Sequence, residues 1–391
     1  MLVVDIVLIV ILVIALAAGA SRGFTGSIGV FAGIAAGAAA AYWLVPLLND
    51  WWPWPQWRLL ASVAAAIGLI LVGSSLGAAA GAAVRRGVDR TPLRGFDRLL
   101  GALTGVAVSA LVISLTATGL IAAGVPIVSS ALSSSQVVRT IDSLTPDPVD
   151  RALAEVRAIV IDEGLPQLGE LLEVTPTQTM PPVDLEDPAL AQAAASVARV
   201  SGTAFACGRS STGSGFVIAD DRIVTNAHVV AGVDQPLVEL PGRAAQEGRI
   251  VYFDPVDDLA VIAVDDLDAR VLPLSRTLDA GAAGVVQGYP LGGPFTMVGA
   301  SVLSVGSAPV PDIYAESSAS REIYALEATV RPGNSGGPLL TGEGAVAGVV
   351  FARAEADENL GYAMTIAELL PVVAQAESLE RAVSSGSCVT A

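Results

Sequence analysis

The chain has 391 residues, 53% of them hydrophobic, with a mean hydropathy of +0.63. That is long enough for two or three domains and too apolar for a purely soluble protein. Charge divides along the sequence: residues 1–127 carry a net +3 and residues 128–391 a net −20. The acidic distal part excludes nucleic-acid partners, whose phosphates it would repel.

Four apolar stretches come first, roughly Leu2 to Ala18, Ile28 to Leu48, Leu59 to Val84 and Leu99 to Val128. Each is long enough to cross a hydrocarbon core of about 30 Å, which takes ~20 helical residues. A cleaved signal peptide is the other reading of the first stretch, but no positive segment precedes it and three more follow. The expectation is a four-helix transmembrane bundle over residues 1–128. Arg85, Arg86, Arg90, Arg94 and Arg98 crowd the loop between the third and fourth stretches, and Arg22 lies between the first two. Arginine-rich short loops stay cytoplasmic, which sends both the N-terminus and everything after Val128 outside. All five tryptophans (Trp43, Trp51, Trp52, Trp54 and Trp57) cluster at the second-to-third loop, where an interfacial aromatic belt belongs.

Gly29, Gly33 and Gly37 recur at every fourth position, as do Gly73, Gly77 and Gly81. Small residues at that spacing let helices approach closely in lipid, so the stretches should pack rather than act as separate anchors. No stretch carries an ionisable residue near its middle, which argues against a transporter. V-D-I-V-L-I-V, S-R-G-F-T-G and F-D-R-L-L-G-A-L-T-G together resemble the colicin V production (CvpA) family of four-span membrane proteins, over about residues 1–125.

Residues 129–188 read as a connection. A Ser-rich step leads to an amphipathic stretch from about Pro148 to Val174. Then comes T-P-T-Q-T-M-P-P-V-D-L-E-D-P, whose four prolines cannot continue a helix and which reads as an extended linker. A short alanine-rich helix over Ala189 to Ala198 leads into the distal domain, residues 189–391.

There, short strand-like runs such as G-S-G-F-V-I, R-I-V-T-N, L-A-V-I-A-V and G-Y-A-M-T-I alternate with Gly, Pro and Asp clusters, as in an all-β sandwich or barrel. R-P-G-N-S-G-G-P, Arg331 to Pro338, sets one serine among three glycines and two prolines. G-N-S-G-G is also an ordinary surface turn, but such a rigid loop can aim neighbouring N–H groups at one point beside the Ser335 hydroxyl, as acyl transfer requires. His228, the one histidine in the sequence, follows the strand-like R-I-V-T-N and has the side chain suited to shuttle the serine's proton. A third group must hold the imidazole in one tautomer. D-P-V-D-D-L-A-V-I offers Asp254, Asp257 and Asp258; Asp258, at the head of L-A-V-I, is the choice and Asp257 the fallback.

The order His228, Asp258, Ser335 is that of the chymotrypsin arrangement. G-S-G-F-V-I, T-N-A-H-V-V, D-L-A-V-I and R-P-G-N-S-G-G-P resemble trypsin-like and HtrA-type serine proteases over about residues 198–375. The resemblance implies two six-stranded β-barrels with the triad in the cleft between them, and an oxyanion hole from the N–H groups of Gly333 and Ser335. It also implies a specificity pocket with Thr329 at its base and Phe351 on its wall; neither is an acid, so a demand for Lys or Arg is not expected. HtrA proteins carry a PDZ domain after the protease, whereas only 56 residues follow Ser335 here. A CvpA-like region joined to a PDZ-less protease with two cysteines resembles the MarP-type periplasmic serine proteases of actinobacteria. That implies a role in acid resistance and envelope maintenance, with envelope proteins or peptides as substrates and membrane lipid around the bundle. No cofactor and no metal are expected. An inactive peptide-binding pseudoprotease and a transporter with a regulatory protease are the competing readings.

The two cysteines, Cys207 and Cys388, both fall on the side assigned as extracytoplasmic, where disulfides persist. A bond between them would pin the C-terminal tail and close a loop of roughly 180 residues, supporting stability rather than chemistry.

Overall fold

The computed structural model describes residues 2–51, 58–122, 135–146, 165–169, 183–204 and 209–389, with short pieces at 132, 148–149, 152–153 and 171–172. The chain forms two compact units, Leu2–Ser114 and Leu115–Ala391, the latter joined by Met1.

The first unit is helical: α1 (Leu2–Trp51), α2 (Arg58–Val88) and α3 (Arg94–Ala122). α1 is two helices joined at Gly23, where φ is +73° and ψ 166°. The break has a partner: the Asp97 carboxylate accepts a hydrogen bond from the Thr25 N–H at 3.0 Å, capping the helix that restarts there. The two glycine stripes face each other. A Cβ added at Gly33 would lie 2.1 Å from the Gly73 carbonyl oxygen, and one at Gly29 2.4 Å from that of Gly77. Val3–Ala41 and Arg94–Ser114 are long and apolar enough to cross a membrane. Trp43 is 71% exposed; Trp52, Trp54 and Trp57 lie outside the described residues, and so does the side chain of Trp51.

The second unit is β-rich. Its first sheet contains β2 (Val197–Ala204), β3 (Arg209–Ala219), β4 (Arg222–Thr225), β5 (Leu237–Glu239), β6 (Gln246–Glu247), β7 (Arg249–Asp254) and β8 (Leu259–Ala263), in the order β6-β5-β2-β3-β4-β8-β7. The second contains β9 (Ala283–Gly288), β10 (Thr296–Pro311), β11 (Ser318–Glu327), β12 (Pro338–Leu340), β13 (Val346–Ala354) and β14 (Leu360–Thr365). Its order is β13-β12-β9-β10-β11-β14, and β13 also pairs with β14, so these six strands close into a ring. β1 (Gln167–Leu168) adds to the outer edge of β13 in parallel. The runs read as strands are continuous apolar segments because both of their faces are buried: every residue of L-A-V-I-A in β8 and of L-G-Y-A-M-T in β14 is buried.

The connection contains two elements that the sequence reading does not specify. The Ser-rich step contains α4 (Gln136–Leu144), capped by the Ser135 hydroxyl, which accepts the Val138 N–H at 3.2 Å. Within the stretch expected to be amphipathic, Gln167–Leu168 is extended, because pairing with β13 satisfies its backbone outside any helix. The body of the Pro-rich linker, residues 173–182, lies outside the described residues. α5 (Pro188–Ala194) begins at Asp187, whose carboxylate accepts the Ala189 N–H at 2.7 Å.

Candidate active site

The loop R-P-G-N-S-G-G-P joins β11 to β12. Gly333 has φ +88° and Gly336 φ +79°, a region that side chains resist. Neither has room for a Cβ either. One at Gly333 would lie 2.3 Å from the Tyr289 carbonyl oxygen, and one at Gly336 2.2 Å from that of Ser214. Ser214, on β3, holds the loop from below: its hydroxyl donates to the Gly333 carbonyl at 2.7 Å and its N–H to the Ser335 carbonyl at 2.7 Å. With the carbonyls engaged, neither the Gly333 nor the Ser335 N–H donates to any other described group.

His228 sits in a single helical turn, α6 (Ala227–Val230), at the end of β4. Asp258 immediately precedes β8 and takes φ +54°, a left-handed conformation that Asp enters more readily than most residues and that persists where the surroundings over-determine it. They do so here. The Asp258 carboxylate lies 2.8 and 3.0 Å from His228 Nδ1 and accepts the His228 backbone N–H at 2.9 Å, while Asn226 Nδ2 donates to the Asp258 carbonyl at 2.9 Å. With side-chain exposures of 7% and 4%, the His228–Asp258 pair is well shielded. A carboxylate at Nδ1 favours the proton there and leaves Nε2 as an acceptor.

Nε2 of His228 and Oγ of Ser335 are both buried and neither has a hydrogen-bond partner, so the histidine–serine bond is not made in this structure. Both residues nevertheless line one cavity of about 620 Å³, together with Asp258, Gly333 and Phe351. Thr329 does not line it; it is exposed, and its hydroxyl bonds Asn359 Oδ1 at 3.1 Å. Asp254 caps the turn before β8, accepting the N–H groups of Val256 and Asp257; burial, with the Asp254 charge adding to it, pushes the Tyr252 phenol up to about 12. Asp257 is half-buried and its carboxyl is raised, first by burial and then by Asp254, with Arg321 acting against both. Among the described residues no group of three or more His, Cys, Asp or Glu is disposed to hold a metal ion. Cys207 lies outside the described residues.

Residues 213–349 match the trypsin-like peptidase domain and residues 4–146 the colicin V production protein family. Serine protease Rv3671c of Mycobacterium tuberculosis is 32% identical over 379 residues, 94% of each chain. The chain belongs to the Rv3671c family of serine proteases. A crystal structure titled as the active form of the Rv3671c protease superposes with a TM-score of 0.54 at 34% identity, covering 58% of this chain and all of that one. A further relative, HhoB of Synechocystis sp., is 36% identical over 166 residues, 40% of this chain and 38% of its own. The protein is therefore a serine-type endopeptidase with a CvpA-like N-terminal region.

Three features of this Rv3671c-family site were missed in the sequence, one of them despite a signal. Ser214 reads as one more polar strand residue; only the fold brings it under the nucleophile loop. The segment 165–169 falls in a stretch expected to be amphipathic. Arg321 did leave a signal: it stands in phase with Ile323 and Ala325 on β11, so a period-two reading puts a charge on the inward face.

Proposed function

We propose that the protein is a membrane-tethered endopeptidase that cuts envelope proteins outside the cytoplasm, with Ser335 as nucleophile, His228 as base and Asp258 orienting the imidazole. The observation that carries this reading is the shielded His228–Asp258 pair, whose Nε2 is unpartnered and whose histidine lines the same cavity as Ser335. His228 takes the hydroxyl proton as Ser335 Oγ attacks the scissile carbonyl carbon. The Gly333 and Ser335 N–H groups hold the oxyanion that develops, a contribution of ~3 kcal/mol or more per donor in comparable enzymes. His228 then passes the proton to the departing amine, and a water repeats the sequence to free the acyl group. Asp258 stays ionised throughout and stabilises the imidazolium. The open Nε2 to Oγ distance fits a resting site, since catalytic hydrogen bonds tighten when substrate arrives.

The wider architecture follows the same reading: four spans within residues 1–128, a connection over 129–188, and the protease domain from 189 to 391 on the extracytoplasmic side. The two curled sheets correspond to the two barrels of the chymotrypsin arrangement, with the ring of β9 to β14 supporting the second. Phe351, buried and on the cavity wall, shapes an apolar specificity pocket. A bond between Cys207 and Cys388 is supported by where Cys388 sits: a Cβ added at Gly232 would meet its Sγ at 2.8 Å and the Ala204 Cβ at 3.2 Å, close to where β2 ends. A place in acid or envelope stress resistance completes the proposal.

Fluorophosphonate labelling of the full chain in detergent tests it. Label on Ser335 that disappears in Ser335→Ala, together with hydrolysis of a peptide substrate, is the expected result. A folded wild-type chain that takes no label overturns it.

A further inference from the structure

Arg321 is the largest fully buried side chain among the described residues, 1% exposed, and no step above uses it. Its Nη2 donates to the Pro311 carbonyl at 2.7 Å and its Nη1 to the Asp257 carbonyl at 3.2 Å, and its guanidinium stacks 5.5 Å from the Phe351 ring centroid. It also lines the cavity with His228 and Ser335. Among the described residues it makes no ion pair within 4.0 Å, and its Nε has no partner. A buried cation so incompletely matched is costly. Burial lowers its pKa, opposed by the fields of Asp258, Asp257, Glu368 and Asp254. Those four carboxylates, with His228 and with Arg353 and Asp312 on the cavity wall, are the charged and titratable groups around it.

We propose that Arg321 is a positioning residue of the proteolytic reaction, clamping the Asp257 carbonyl so that Asp258 keeps its left-handed conformation, and setting a fixed positive charge behind the His228–Asp258 pair. The two roles are separable. The clamp matters because it is in that backbone conformation that the carboxylate meets both His228 Nδ1 and the His228 N–H. The charge matters because it disfavours a second positive charge on the imidazole in the free enzyme, and so extends activity toward acid. This inference rests on the protease reading.

The test uses the full chain in detergent. Arg321→Gln keeps a donor but loses the charge, so the acid limb of the kcat/KM profile should move to higher pH by about half a unit, a roughly threefold loss on that limb relative to the plateau. Arg321→Lys keeps the charge but loses the fork, so the limb should stay while kcat falls about tenfold, as expected for a misplaced catalytic group. An unmoved limb in Arg321→Gln overturns the electrostatic role, and an unchanged kcat in Arg321→Lys overturns the clamp. Should Arg321→Gln not fold, a limb shift in Arg321→Lys, where the charge is retained, would equally overturn the electrostatic role. Loss of fluorophosphonate labelling in the wild type would instead sink the protease reading itself.

A second inference has independent support. β1 occupies the free edge of β13: Pro166 and Leu168 carbonyls accept the N–H groups of Arg353 and Glu355 at 3.1 and 3.0 Å. Beyond it, the buried Tyr362 hydroxyl donates to the Gly169 carbonyl at 3.2 Å and accepts the Leu171 N–H at 3.4 Å. Leu165, 6% exposed, joins the buried cluster that contains Val330 and Val350 and lines the cavity with His228 and Ser335. We infer that Leu165–Gly169 is a built-in competitor for the site, taking the edge amides that an extended peptide would use and plugging the cavity with Leu165. It too rests on the protease reading. In the full chain, Leu165→Asp should raise kcat/KM on a short peptide substrate about tenfold, the effect of relieving a roughly 90% closed population. The free peptide Leu-Pro-Gln-Leu-Gly should inhibit that variant. Wild-type turnover in Leu165→Asp, with no inhibition by the peptide, overturns the inference; absence of Ser335 labelling in both proteins would instead count against the protease reading.

Discussion

Glycine does different work in the two units. At Gly29, Gly33, Gly73 and Gly77 the backbone stays helical and the missing Cβ lets one helix rest on another's carbonyls, with added Cβ atoms falling 2.1–2.4 Å from them. At Gly333 and Gly336 the missing Cβ matters too, but the positive φ matters first, because side chains resist that backbone conformation. A change in the helices therefore spreads its cost over a packed interface, whereas a change in the loop concentrates it on one chemical step.

The strongest break with that picture would come from the loop's own serine and its base. Ser335→Ala and His228→Ala should each lower kcat by about 10⁴- to 10⁶-fold without unfolding the protease unit, and the double variant should lose little more, because the residues act as a unit. Steady-state kinetics on matched, folded samples check this; additive losses would show that the two do not cooperate. Asp258→Asn should come next, at about 10⁴-fold through the wrong imidazole tautomer. Asp257→Asn should cost far less, since what Asp257 gives Arg321 is its backbone carbonyl. If the two asparagine variants exchange ranks, the orienting residue is Asp257.

The glycines then test the comparison directly. Gly336→Ala should lower kcat by roughly 10²-fold with the unit still folded, in the range for losing an oxyanion donor's alignment. Gly33→Leu should leave turnover on a short peptide in detergent unchanged and lower the thermal stability of the helical unit, overpacking there costing about 1–3 kcal/mol or more. A protease rate that collapsed in Gly33→Leu would mean that the two units are coupled.

What could be read from the sequence follows the same division. The four-residue glycine repeat signals a helix-to-helix contact because α-helical geometry puts such residues on one face, and the stripes do meet. R-P-G-N-S-G-G-P signals a rigid loop because its glycines and prolines each restrict the backbone locally. Asp258, chosen for its place at the head of a buried strand, does meet the His228 ring. Arg321, Ser214 and Leu165 owe their importance to what the fold brings next to them from 64, 119 and more residues away; the phase of Arg321 on β11 marks it as inward-facing, but no local pattern carries its partners or those of the other two. Thr329, put at a pocket's base by counting back from the nucleophile, lies just past the end of β11, where it is exposed beside Asn359.

The smallest expected effect lies on the cavity wall formed by Pro311 to Ala315. Asp312 folds that turn back on itself: its carboxylate accepts the Ser317 hydroxyl at 2.6 Å, the Ser317 N–H at 2.8 Å, the Tyr314 N–H at 2.9 Å and the Glu316 N–H at 3.0 Å. These bonds favour the ionised form, the Ser317 hydroxyl most, and hold its pKa below the usual carboxylate range. The unfolded chain therefore binds this proton more readily than the folded one. The stabilisation is fully present above the ordinary carboxylate value of about 3.9 and is lost as pH falls through the depressed folded value. Asn at this position keeps one acceptor oxygen and no charge, so Asp312→Asn should melt slightly below the wild type at neutral pH. The gap should close in strong acid, where the wild-type carboxylate is protonated as well. Paired melting curves across that range decide it: a gap of constant size down to about pH 2 would mean that the turn depends on the shape of the side chain and not on its charge.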